Sequence, residues 1–170
     1  MNATPMLVLN DIPLYCPPDL DSAFDEWGCN CGPAALAAIL ERPAAEVRAF
    51  FPGFEKRRYA NPSQMLAACK AAGVLASIRT SYPWGSWPIK LVKIQWGGSW
   101  LKPGVHPGAA YARTHWIAVR GRATFDVNVG YWVDADEWGK EVAPYIMEHV
   151  KGCDGTWHPV TAIFVGRATA

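Results

Sequence analysis

The sequence predicts an α+β domain, and three observations carry that reading. Alanine is concentrated in residues 31–76, in text with helical spacing. Eight of the nine tryptophans lie after residue 83, among short β-type runs. Gly- and Pro-rich turns separate those runs. The chain has 170 residues, 51% of them hydrophobic, which is enough for one core. A single domain over 1–170 is expected, with an arm at 1–24, a helical part at 25–76 and a sheet part at 77–170.

The elements follow in order. Pro13, Pro17 and Pro18 break the arm, so residues 1–24 read as an extended or edge-strand segment leading into a loop. From Cys31 the text is helical. Pro33 sits in the first turn, where a missing N–H costs nothing, and apolar residues on nearly every face predict a buried helix. Pro43 ends it and opens a second helix over 44–51, stopped by Pro52 and Gly53. A third begins at Asn61-Pro62-Ser63 and runs over 64–72, with Gly73 as its C-cap. Strands are expected at 74–79, 89–96, 116–120, 124–129 and 160–165, with one more helix at 140–150, broken by Pro144.

Composition excludes several functions. Charged residues are 18% of the chain, and 16 basic against 15 acidic side chains leave a net charge of +1, so neither disorder nor a nucleic-acid partner is expected. Lys56, Arg57 and Arg58 form the one basic run, read as a solvated loop. No apolar stretch is long enough to span a bilayer, and the start lacks the pattern of a signal peptide, so a cytoplasmic protein without a membrane partner is expected. Five cysteines form an odd, unevenly spaced set, which argues for a reducing compartment rather than a disulfide framework. Cys29 and Cys31 lack the second Cys pair that a zinc site prefers, so no metal or other cofactor is expected.

Two segments carry chemistry. Cys31 stands at the start of a buried helix, where unpaired N–H groups and the helix dipole favour a thiolate nucleophile. Gly32 beside it would let a substrate carbonyl approach. The stretch from Thr114 to Asn128 reads as a hairpin turning near Gly121 and Arg122. That register sets His115 opposite Asn128 and Ile117 opposite Asp126, so both polar residues share the face of His115. Either can hold the imidazole in one tautomer while its other nitrogen faces a thiolate. Trp116, on the opposite strand face, reads as core.

Asn30-Cys31-Gly32-Pro33-Ala34-Ala35-Leu36, the helix from Ala44, the helix from Asn61 through Gly73, and His115 followed by Asp126 resemble the papain-like cysteine peptidase superfamily. The resemblance spans roughly residues 25–130. It points to the branch of the double-glycine leader peptidases of bacteriocin exporters, and the Trp-rich segments around Gln95 and Trp96 also look like phage-encoded members. It implies a papain-like fold, in which a helical subdomain led by the nucleophile helix packs on a twisted, mainly antiparallel sheet. It also implies a Cys31 nucleophile, a His115 base and an Asp126 orienting acid, with Asn128 as the alternative third member. The substrate would be a peptide or protein, cleaved through a thioester acyl-enzyme. An acyltransferase or amidase would use the same residues.

One position departs from the family pattern. Asp25 stands where the family places a Gln that donates to the oxyanion, and an ionised carboxylate there would repel the developing charge. The readings left open are a protonated Asp25, another donor such as Trp27, Asn30 or Gln95, or a protein that keeps the fold as a protein-binding module. Trp27 is the best cleft candidate among the indoles. Trp84, Trp87, Trp96, Trp100, Trp132, Trp138 and Trp157 each read as structural, yet nine indoles exceed what this core needs, so some are expected to line a groove.

Overall fold

The computed structural model describes residues 8–9, 12–79, 89–110 and 112–166. Trp84 and Trp87 lie outside the described residues. The chain opens with a hairpin of β1 (Val8–Leu9) and β2 (Ile12–Pro13). Helix α1 (Leu20–Trp27) comes next, where the sequence suggested only a loop. All three prolines that suggested the loop precede it, Asp21 lies in its first turn, and Gly28 closes it at φ +75°, in the left-handed region that suits glycine. Asp19 makes no side-chain cap to α1; its carboxylate accepts from Ala44 N at 2.7 Å and Ala45 N at 2.9 Å, capping α3 (Ala44–Val47) across a gap in sequence.

Helix α2 (Cys31–Leu40) is buried from Gly32 to Ile39, as its apolar faces require. The predicted second helix is α3 followed by a 3-10 turn, Arg48–Phe50. A short α4 (Phe54–Arg57) takes in part of the expected basic loop. Helix α5 (Pro62–Ala71) starts on a capping box: Asn61 Oδ1 accepts from Gln64 N and Gln64 Oε1 accepts from Asn61 N, both at 2.9 Å. No described helix is long and apolar enough to cross a membrane.

The remaining strands form a six-stranded antiparallel sheet in the order β3-β8-β4-β5-β6-β7. They are β3 (Leu75–Arg79), β4 (Ile89–Gly98), β5 (Thr114–Arg120), β6 (Ala123–Asp126), β7 (Tyr131–Asp134) and β8 (Cys153–Gly166). The β5–β6 hairpin has the expected register, with Arg120 opposite Ala123 and Ala118 opposite Phe125. Strand β6 stops at Asp126 rather than 129. Asn128 N turns back onto Asp126 Oδ1 and Gly130 N onto Asp126 O, each at 2.9 Å, and this turn starts β7, which the sequence reading missed. Strand β8 begins earlier than expected because a register shift between Lys93 and Ile94 accommodates Pro159.

Both faces of the sheet are covered. Leu91, Trp116, Ala118, Phe125 and Ile163 join the core of the helical part. Val92, Ile94, Ile117, Val119 and Phe164 face a C-terminal segment made of α6 (Ala135–Glu137), a π-turn (Trp138–Val142) and α7 (Ala143–Glu148). The expected helix at 140–150 therefore starts earlier, and Pro144 falls in the first turn of α7, where it breaks nothing.

The described indoles mostly build this core rather than a groove. Trp27, Trp96, Trp116, Trp132 and Trp138 are buried. Two N–H groups pin distant segments together, Trp116 donating to Ala60 O and Trp132 to Tyr15 O, both at 2.8 Å, while Trp100 donates locally to Trp96 O at 2.8 Å. Trp116 is core, as its strand face predicted, and it joins the sheet to the loop before α5. Trp116→Phe keeps most of the apolar contact but leaves the Ala60 carbonyl without its donor. The expected loss is about 2 kcal/mol of stability, measured as a lower urea midpoint with an unchanged slope.

Candidate active site

The site is built where the start of α2 meets β5 and the end of β6. Asn30 caps α2: its Oδ1 accepts from Gly32 N at 3.4 Å and its Nδ2 donates to Arg58 O at 2.7 Å. Cys31 is the first residue of the helix and half-buried. It borders two cavities, one of about 660 Å³ that His115 and Asn128 also line, and one of about 160 Å³. Gly32 has a different use from the one expected. A Cβ there would lie 3.1 Å from Ala60 Cβ and 3.4 Å from Met65 Cε, so the glycine serves close packing of α2 rather than substrate approach.

His115 projects from β5 to the face opposite Trp116, and its ring stacks on Trp96 with centroids 5.7 Å apart at 27°. Its Nε2 lies 2.9 Å from Asp126 Oδ2, and it lines the larger cavity together with Cys31. With Nε2 committed to the carboxylate, Nδ1 is the nitrogen left for the sulfur. Asp126 is wholly buried and takes three further bonds: Asn128 N and Nδ2 donate to Oδ1 at 2.9 Å, and Trp138 Nε1 donates to Oδ2 at 2.8 Å. Burial alone would lower the His115 pKa, but the charges of Asp126 and Cys31 and the hydrogen bond to Asp126 outweigh it and hold the ring up at about 10. Burial would likewise raise Asp126, yet the His115 charge and the surrounding donors keep it below the usual carboxylate value.

The predicted residues therefore sort as follows. Cys31, His115 and Asp126 come together; Asn128 bonds to Asp126 and braces it. Asp25 is exposed on α1 and lines neither of these cavities. Trp27 is not a cleft residue: it is buried against Phe54 in an edge contact of 5.7 Å, because the inward face of α1 closes the helical core. Asn30 borders both cavities but spends its amide on Arg58 O. Gln95 is fully buried, and its Nε2 donates to Ala112 O at 2.8 Å and Trp96 O at 3.0 Å, away from both cavities.

Sequence reasoning missed Trp138 and Trp96, which hold the carboxylate and the imidazole. Trp138 comes from the unforeseen π-turn, and no local signal tied it to Asp126. It also missed Lys93 and Arg58 at the smaller cavity, although a lysine inside the apolar run of β4 was a usable signal. Cys29 borders the larger cavity, but burial first, then the charges of Asp19 and Cys31, push its thiol up to about 12. It is not a competing nucleophile. Among the described residues no three His, Cys, Asp or Glu side chains gather as metal ligands would.

No family model and no curated protein matches this chain. Among solved structures, it is similar to the peptidase domain of Streptococcus ComA, a bifunctional ABC transporter involved in a quorum-sensing pathway. The identity is 15% and the TM-score 0.46, over 91% of this chain and 99% of that one.

The buried pair makes stability depend on pH in a stated direction. His115 is raised from 6.5 to about 10, so its contribution is complete below 6.5 and lost as pH rises through 10. Asp126 is lowered from 3.8, so its contribution is present above 3.8 and lost as pH falls below it. The difference in Tm between the parent and Asp126→Asn should therefore be largest between pH 3.8 and 6.5 and shrink on both sides. A difference that stays constant with pH means that the two groups do not pair as ions.

Proposed function

We propose that the protein is a papain-like cysteine peptidase or isopeptidase, with Cys31 as nucleophile, His115 as general base and acid, and Asp126 as the group that orients and charges the imidazole. One observation carries the reading: a buried histidine, ion-paired through Nε2 to Asp126 at 2.9 Å, lines the same cavity as a cysteine at the first position of a buried helix. The resemblance of the Cys31 motif and the order of Cys, His and Asp along the chain agree with it.

The chemistry follows from the geometry. His115 holds the proton of Cys31, and the thiolate attacks a substrate carbonyl. The resulting oxyanion lies at the start of α2, where the Cys31 N–H has no partner within the helix and can donate to it. His115 then gives its proton to the departing amine, leaving a thioester on Cys31. Water, deprotonated by His115, releases the acyl group and restores the thiol. Asp126 keeps the imidazolium favourable throughout. Asp25 is exposed on α1 and lines neither cavity beside Cys31, so it supplies the oxyanion no donor.

A second reading, a protein-binding module on the same scaffold, draws on the side-chain amides: those of Asn30 and Gln95 are both bonded to carbonyls instead of being available to an oxyanion. Alkylation of Cys31 by iodoacetamide separates the two readings. Cys31 should react in the parent protein, and His115→Ala should slow the reaction about tenfold or more. Asp126→Ala should cost about a hundredfold in turnover and Asn128→Ala about tenfold or less, since Asn128 acts only through Asp126. A Cys31 that is unreactive, or indifferent to His115, favours the binding module.

A further inference from the structure

Cys31 separates two cavities of opposite character. The larger has Asp21 on its wall and no Lys or Arg among its described lining residues. The smaller is bordered by Arg58, Lys93, Asn61, Thr114 and Trp116, with no acidic side chain among its described lining residues. Lys93 is only 5% exposed, and burial draws its pKa down. Arg58 is held there against backbone preference: its φ is +54°, unfavourable for a side-chain-bearing residue, and Asn30 Nδ2 fixes its carbonyl at 2.7 Å. The Arg58 side chain fits over Gly28, where a Cβ would approach its Nε to 3.1 Å. The residue that caps the nucleophile helix thus also secures one of the two cations.

We propose that this smaller cavity binds a carboxylate of the substrate next to the bond under attack. The proposal rests on Cys31 being the nucleophile and names what that site selects. A volume of about 160 Å³ holds a group of a few non-hydrogen atoms, the size of an acidic side chain or a chain terminus. Arg58 supplies the planar fork that fits a carboxylate, and Lys93 stands on the strand wall of the same cavity.

The test compares alkylation of Cys31 by an anionic and a neutral reagent of equal size: iodoacetate against iodoacetamide, and 3-iodopropionate against its amide. The ratio of the two rates cancels effects on the thiol itself. Arg58→Asn removes one cation and places at the left-handed position a residue that tolerates it; Lys93→Met removes the other. The anionic-to-neutral ratio should fall about fivefold in each. Arg58→Asn keeps the test decisive if Lys93→Met does not fold. An unchanged ratio in every folded variant overturns the proposal. A parent protein whose Cys31 ignores iodoacetamide overturns the nucleophile reading instead, and the two failures are thereby distinguished. The source of the carboxylate is read from protection of Cys31. N-acetylglutamic α-amide offers a side-chain carboxylate and N-acetylglycylglycine a chain terminus, and the one that slows iodoacetamide in the parent but not in Arg58→Asn identifies it.

Discussion

A carboxylate without access to water must be neutralised where it stands, and Asp126 is neutralised from four directions. His115 Nε2, Trp138 Nε1, and the backbone and side-chain nitrogens of Asn128 converge on its two oxygens. Leaving such a charge unpaired would cost several kcal/mol, so each donor is constrained by the others. The end of β6, the turn into β7, the π-turn and the rotamer of His115 are consequences of one buried group. The imidazole is then left with one free direction, toward Cys31.

This arrangement explains why the sheet is covered on both sides. His115 and Trp116 are neighbours on β5 and point to opposite faces. Trp116 enters the core shared with α2 and reaches Ala60, while His115 lies on the face closed by the C-terminal helices. The cysteine arrives from the first side, at the end of α2, and the carboxylate is braced from the second. The site therefore depends on both cores being intact, although only one of them carries Cys31.

The parts of this architecture that local pattern controls were legible in the sequence. The buried helix from Cys31, the capping box at Asn61 and Gln64, and the hairpin register that puts Asp126 on the His115 face all follow from spacing and turn chemistry. Helix α1 was hidden because three prolines suggested a loop and its helix-start acid, Asp19, caps a different helix. Strand β7 and the π-turn were hidden because Asp126 organises the turn from β6 into β7 and receives Trp138 from the π-turn, and no periodicity announces that. The tryptophans misled for a related reason. Their abundance suggested an exposed groove, whereas the N–H groups of Trp116, Trp132 and Trp138 are spent on carbonyls and on Asp126 elsewhere in the chain. Long-range hydrogen bonds leave no periodic trace.

Trp116 has one more consequence. Its ring forms a wall of the small cavity while its N–H is tied to Ala60, two residues after Arg58. The loop at 58–61 is therefore clamped at one end by Asn30 and near the other by Trp116, with its side chains facing the cavity. Within it Asn61 is held by its side-chain cap on α5, Ala60 by its contact with Gly32 and Arg58 by its positive φ, so Tyr59 is the position that can change freely while the backbone carbonyls keep the loop in place. Variation in what the small cavity accepts would therefore begin at Tyr59, with the sheet and α2 left unaltered.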